Sequence, residues 1–206
     1  MLEAIDLECE RGGKKLFRGL SFVLRGGELL RVAGANGSGK SSLLRILCGL
    51  LSPGAGEVRW KGAGIRGLRE EYATQLVYLG HAPAVKDELT PAENLEIACR
   101  LAGLTLSTQH IQGALDRFGL SRKDSPVKKL SQGQRRRAAL ARLALSEEIP
   151  LWLLDEPFSA LDAAATRLVE TLIDGHAARG GSVVFTTHQE PHTGAARVID
   201  LGGVPA

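Results

Sequence analysis

Apolar and polar positions alternate through the first segment of the chain, with Ile5, Leu7 and Cys9 set against Asp6, Glu8 and Glu10. They alternate again in Leu20, Phe22 and Leu24, beyond a turn at Gly12-Gly13. A period of two places successive side chains on opposite faces, so this pattern predicts a pair of antiparallel strands with one buried face. The period then changes. Leu29 to Ala33 is a short apolar run that meets a glycine-rich turn, after which Leu43, Leu44, Leu47 and Leu50 recur at helical spacing within Ser41 to Leu50. That reads as strand, loop, helix.

Between Pro83 and Ser146 the pattern is helical, around Ala92 to Leu101, Ile111 to Phe118 and Gly133 to Leu145, with Gly- or Ser-containing breaks between. Strand character returns at Leu151 to Leu154. A helix with Leu168, Val169, Leu172 and Ile173 on one face follows, then Val183-Val184-Phe185, then a further candidate strand at Val198 to Leu201. Parallel strands need crossovers and helices fill them, so the alternation after the glycine-rich turn predicts a parallel sheet. The expected fold is α/β, with a core from 1–82 and 147–206, a helical lobe inserted at 83–146, and an antiparallel β subdomain at the start.

Composition narrows the class. A chain of 206 residues that is 44% hydrophobic can bury one core, or one core with an inserted lobe. A net charge of +3 does not point to nucleic acid, and no nucleic-acid partner is expected. The opening MLEAIDLECERGG is acidic where a secretory signal needs a basic start and an apolar block. Stretches such as Ile46 to Leu51 fall short of the ~20 apolar residues a membrane helix needs, so any membrane part must come from another polypeptide. Cys9, Cys48 and Cys99, at no metal-like spacing, suit buried reduced thiols.

The sharpest chemistry lies in Gly34-Ala35-Asn36-Gly37-Ser38-Gly39-Lys40-Ser41, which fits G-x-x-x-x-G-K-[ST] between a predicted strand and a predicted helix. Glycines let the backbone curl so that its N–H groups face a polyphosphate, and the helix presents its positive end. Lys40 can reach the β and γ phosphates and Ser41 can hold Mg²⁺, with Ser42 beside it on the first helical turn. Kinases and GTPases share such a loop. Leu151-Trp152-Leu153-Leu154-Asp155-Glu156 adds a buried strand ending in two carboxylates, Asp155 suited to the Mg²⁺ shell and Glu156 to orienting or deprotonating water.

Leu130-Ser131-Gln132-Gly133-Gln134 opens a predicted helix, with Ser131 suited to the N-cap and Gly133 to close backbone approach to an anion. Set between the phosphate loop and the carboxylate strand, it resembles the signature of ABC ATPases, with Gln132 where that motif commonly has glycine. Ser159-Ala160-Leu161-Asp162 resembles the D-loop of that family, and Thr186-Thr187-His188 its switch histidine. The resemblance covers nearly the whole chain. It implies a P-loop NTPase of the ABC nucleotide-binding type, an ATPase using ATP and Mg²⁺. It implies dimerisation head to tail, with ATP between the phosphate loop of one copy and Ser131, Gly133 and Gln134 of the other. His188 would then hydrogen-bond the γ phosphate or hold the attacking water, alongside Lys40.

Two positions depart from the family pattern. Where ABC cassettes usually carry a glutamine that touches Mg²⁺ and senses the transport partner, this chain has His81 in Tyr78-Leu79-Gly80-His81; imidazole can replace the amide, and its protonation adds pH sensitivity. Where an aromatic ring often stacks on adenine, it offers Arg11, with no aromatic until Phe17; a guanidinium plane can also stack on a base. His110, His176 and His192 have no such context and are expected at the surface or in capping positions. Arg135-Arg136-Arg137 is expected as a solvated helix face, a dimer and phosphate contact, or an attraction to a membrane surface.

Leu2-Glu3-Ala4, Cys9-Glu10-Arg11, the His81 segment, Lys86 with Leu89-Thr90, Glu93-Asn94-Leu95, and Gln132 through Arg137 together are similar to one subfamily, the haem exporter cassettes of cytochrome c maturation. That resemblance implies a peripheral subunit on the cytoplasmic face of a bacterial inner membrane, working with separate integral membrane subunits. The chain has no C-x-x-C-H attachment motif. Direct haem contact is not expected. Two alternatives stay open, an ABC ATPase energising another transporter and a soluble ABC ATPase acting on the ribosome or DNA.

Overall fold

The opening alternation becomes a hairpin. The computed structural model describes residues 1–120, 124–188 and 192–203, and in it β1 (Leu2–Arg11) pairs antiparallel with β2 (Lys14–Leu24). The alternation is not continuous. The register shifts between Ala4 and Leu7, where Asp6 takes a φ of 47° and its amide bonds the Ser21 hydroxyl at 2.8 Å. This bulge moves Ile5 off the buried face that Leu2, Ala4, Leu7 and Cys9 share, contrary to the strict period of two.

β3 (Leu29–Ala33) leads through the glycine-rich loop into α1 (Lys40–Leu47). The helix stops short of the expected Leu50: Cys48 caps it and the amides of Leu50 and Leu51 both return to the Arg45 carbonyl. Leu50 is therefore 70% exposed rather than part of the helix stripe. β4 (Ala55–Trp60) and β5 (Ala63–Gly64) complete an antiparallel sheet in the order β2-β1-β4-β5. The short α2 (Arg69–Ala73) then leads to β6 (Leu76–Leu79).

Three helices follow in the segment where helical periodicity is predicted, and each begins at a side-chain cap. α3 (Pro91–Leu101) starts from Thr90 in a capping box with Glu93, with Pro91 in the first turn, where its missing N–H costs nothing. α4 (Thr108–Arg117) starts from Ser107, against which His110 also hydrogen-bonds, in keeping with a capping position. α5 (Gln132–Leu140) starts from Ser131, the expected N-cap, in a second capping box with Gln134. The single helix expected from Gly133 to Leu145 is thus two pieces, because beyond Leu140 the chain tightens into a 3-10 turn over Ala141–Leu145.

β7 (Leu151–Leu154), α6 (Ala163–Ala178), β8 (Ser182–Thr186) and β9 (Arg197–Asp200) finish the described chain. The second sheet runs β6-β7-β8-β3-β9, and all its pairings are parallel, as the alternation of strands and helices predicts. Its central strands β7 and β8 are buried at every position because both faces are covered, and β7 is apolar throughout. Leu151 and Leu153 join Leu30, Val32, Leu43 and Leu47 in the core beneath the antiparallel sheet and α1. Trp152 and Leu154 join Val183, Phe185, Val169 and Ile173 in the core beneath α6 and the helices of 83–146. Each of the fully buried leucines contributes roughly 1.5–3 kcal/mol by leaving water.

Two expectations fail here for one reason, the helix period. His176, expected at the surface or in a capping position, lies on α6 one turn past Leu172 and Ile173 and is 1% exposed, its ring stacked 3.9 Å from that of Trp152. Arg136, for which a solvated face is the first of three readings, is 4% exposed and shares the inward stripe of α5 with Leu140. His192 is exposed, as expected. The three thiols are free, Cys9 and Cys99 buried but Cys48 only half-buried, and burial raises the pKa of each, that of Cys48 to about 11.

Candidate active site

Four neighbouring parallel strands, β6, β7, β8 and β3, end on the same edge of the sheet, and ligands bind in α/β sheets outside such carboxyl ends. His81 follows β6, Asp155 and Glu156 follow β7, His188 follows β8, and the glycine-rich loop follows β3. Residues scattered over more than 170 positions of sequence thereby line one cleft of about 600 Å³, which takes in Arg11, Asn36, Gly37, Gly39 to Ser42, His81, Asp155, Glu156 and His188.

The loop is held open by its own backbone. Gly39 caps α1 with a φ of 102°, a conformation L side chains rarely adopt, and an added Cβ would stand 3.1 Å from that of Leu16. Lys40 is 8% exposed, and its ammonium donates to the carbonyls of Gly34 and Ala35 at 2.8 and 3.0 Å. A charge buried this deeply has only two carbonyls as described partners, so an incoming polyphosphate would meet a cation already in place. Ser38 Oγ is buried without a partner beside Gly34.

The carboxylate turn is fixed from several sides. Thr186 Oγ1 donates to Asp155 Oδ1 at 2.8 Å and accepts from the Glu156 amide at 2.8 Å. The Asp155 amide donates to the Leu79 carbonyl. Glu156 adopts a φ of 51°, strain of about 1–3 kcal/mol that persists only where neighbours over-determine it. Arg136 supplies much of that constraint: Nη1 donates to the carbonyls of Gly80 and His81 at 2.9 and 3.2 Å, and Nη2 to those of Asp155 and Glu156 at 2.9 and 2.8 Å. Periodicity contains the signal for this residue, since Arg136 stands four before Leu140 and seven before Leu143, both fully buried.

Asp155 Oδ2 is buried with no hydrogen-bond partner and its residue lines the cleft. An orphaned carboxylate oxygen together with the Ser41 hydroxyl is a donor set suited to a small hard cation that takes its other ligands from phosphate and water. No cluster of three or more His, Cys, Asp and Glu is found among the described residues. The Glu156 carboxylate faces His188: Oε2 accepts from the His188 amide at 3.3 Å, and Nε2 stands 3.3 Å from Oε1 without hydrogen-bond alignment. Carboxylate and imidazole thus meet beside the phosphate loop, in direct contact with each other.

On the base side, Arg11 borders the cleft and is exposed, joined by Leu16, while Phe17 is turned into the core at 1% exposure. Leu16 is a lining residue that motif reading does not single out, while Ser159 enters the lining from the segment that resembles the D-loop. Ser131, Gly133 and Gln134 are absent from the cleft of their own chain. The side chains of Ser131 and Gln134 close the capping box, and a Cβ at Gly133 would lie 3.0 Å from the Ala160 carbonyl, so the glycine lets the helix start pack closely on the loop that follows β7.

A phosphate loop, a carboxylate turn and a following histidine at adjoining parallel strand ends define a nucleotide-hydrolysing P-loop domain. The chain belongs to the ABC transporter family, whose model matches residues 17–159, and it is an ATP-binding ATPase. It is 54% identical to the cytochrome c biogenesis ATP-binding export protein CcmA of Dechloromonas aromatica (strain RCB), over 98% of both chains. A solved ATP-binding subunit of an ABC transporter superposes with a TM-score of 0.86 at 27% identity, covering 100% of this chain and 88% of that one. The dimeric post-hydrolysis structure of the cassette MJ0796 bound to ADP and Pi, at 24% identity and a TM-score of 0.77 over 92% of this chain and 88% of that one, shares the fold.

Proposed function

We propose that this chain is the ATP-hydrolysing cassette of a membrane complex that handles or exports haem during the maturation of c-type cytochromes. The convergence of Lys40, Asp155, Glu156 and His188 at one sheet edge carries the hydrolytic part. The 54% identity to a protein named for cytochrome c biogenesis and export supports the biological part. In the reaction, water attacks the γ phosphorus, the bond to the ADP oxygen breaks, and the proton of the water passes to Glu156, leaving ADP and inorganic phosphate. Lys40 and the loop amides hold the β and γ phosphates, and His188 holds the water or a γ oxygen. Ser41 and Asp155 would hold Mg²⁺, which when bound neutralises charge on the phosphate oxygens.

The cleft is one-sided, with Ser131, Gly133 and Gln134 displaced from it, which supports a head-to-tail dimer in which a second copy closes the site. Among the described residues no helix is long and apolar enough to cross a membrane, so separate integral subunits would supply that part, with this chain peripheral on the cytoplasmic face of the inner membrane. A groove of about 460 Å³, lined by Leu50, Val85, Ala98, Arg45 and Arg142 and reaching His81, is our candidate for their contact. The deciding experiment is a haem stain of membrane c-type cytochromes in a bacterium carrying only Glu156→Gln at this locus. Loss of covalent haem at normal apocytochrome levels is expected, and normal staining would remove the haem assignment.

A further inference from the structure

Three consecutive arginines at the start of α5 reach three separate parts of the molecule. Arg135 pairs with Asp87 at 3.0 Å, and Arg137 stands 3.8 Å from Asp162, the N-cap of α6. Arg136 uses all four of its terminal N–H groups on main-chain carbonyls at the ends of β6 and β7. A planar fork with fixed donor directions ties these carbonyls into one rigid unit in a way a flexible ammonium cannot. The unit has two further faces. Arg136 lies five residues beyond Ser131 on the helix that Ser131 caps, and it also lines the groove near His81, where its Nε is buried without a partner.

We infer that Arg136 is a positioning residue for hydrolysis, setting the Glu156 carboxylate by clamping the strained Glu156 turn and the His81 loop to the signature helix. It is not among the residues that line the cleft; it acts through Glu156, and the inference rests on the reading of Glu156 as the group that orients or deprotonates water. Displacing a catalytic group by about 1 Å costs on the order of 100-fold in rate, so losing the clamp should lower turnover while leaving the phosphate loop intact. Burial lowers the pKa of Arg136 and the two nearby carboxylates oppose that shift, so the clamp stays charged.

The test is a double-mutant cycle on the full chain, purified with its co-purifying subunits, using MgATP. Arg136→Met removes every donor at similar length, and Arg136→Lys keeps the charge without the fork. In a folded Arg136→Met variant kcat is expected to fall roughly 100-fold with KM changed less than about threefold, Arg136→Lys lying between it and wild type. On a Glu156→Gln background the same substitution should lower the residual turnover no further, because both act through one group. Equal fractional losses in the two backgrounds, or unchanged kcat in folded Arg136→Met, would overturn the inference. Should Arg136→Met fail to fold, the cycle with Arg136→Lys decides by the same criterion. A Glu156→Gln chain as active as wild type would instead refute the base assignment itself, and the single variant reveals that outcome separately.

Discussion

Strand β7 borders two histidines that the structure treats in opposite ways. Beyond its carboxyl end His188 is half-exposed at 52%, faces Glu156, and belongs to a network in which Thr186 and Arg136 satisfy nearly every main-chain group of the turn. Within the strand, Trp152 stacks against His176, whose two ring nitrogens have no hydrogen-bond partner although the carbonyls of Glu147 and Pro150 lie close to the ring. Polar groups at the first place line the cleft and are held in position. At the second the imidazole serves as a flat ring in a hydrophobic core, its charged form suppressed: burial, with help from the Arg179 charge, pushes its pKa down to about 4. The same side chain is chemistry in one setting and packing in the other, and desolvation is what separates them.

Breaking the catalytic end should change rate without stability. Glu156→Gln is expected to lower phosphate release about 10²- to 10⁴-fold, the range that removal of a general base spans, with nucleotide binding and melting temperature nearly unchanged. Gel filtration with ATP should then show an accumulated dimer.

Breaking the packed end should do the reverse. As pH falls through 6.5 the unfolded chain protonates His176 while the folded chain does not, so the stability conferred by the neutral ring is present above 6.5 and is lost as pH falls towards about 4. The loss is about 3 kcal/mol, read from urea titrations at the two ends of that window, and His176→Leu should remove this share of the pH dependence. A wild-type stability that is flat across the window would erase the contrast.

A smaller effect sharpens the comparison. Thr186→Val keeps the shape but strips the hydroxyl that joins Asp155 to the Glu156 amide, and the orphaned groups should cost about 1–3 kcal/mol in denaturation midpoint, with turnover falling as the turn loosens. The smallest concerns the loop after β6. His81 is exposed, so His81→Gln should alter stability by less than about 0.5 kcal/mol and leave turnover of the same order, measured beside wild type.

Much of this architecture is written in local patterns. The switch from a period of two to a helical period locates the antiparallel start, the phosphate loop and the apolar strand β7, because each depends on residues close in sequence. Boundaries that depend on backbone reversal are less legible: the bulge at Asp6, the end of α1 before Leu50 and the 3-10 turn after Leu140 arise where hydrogen bonds are exchanged with the chain nearby. Arg136 and His176 escape notice for another reason. Charge and polarity suggest solvent, and only their place on the inward stripe of a helix reveals burial.

By itself the sequence determined the chemistry available to this protein, since the order of glycines, Lys40, Asp155, Glu156 and His188 requires a strand end at each, and local propensity supplies those strand ends. Only the tertiary structure decided how the groups are held. The parallel order of β6, β7, β8 and β3 brings residues far apart in sequence to one edge, and a buried guanidinium bonds four carbonyls that no local rule connects. A main-chain carbonyl is the same in every residue, so which ones Arg136 meets is settled by packing and leaves no trace in composition or spacing.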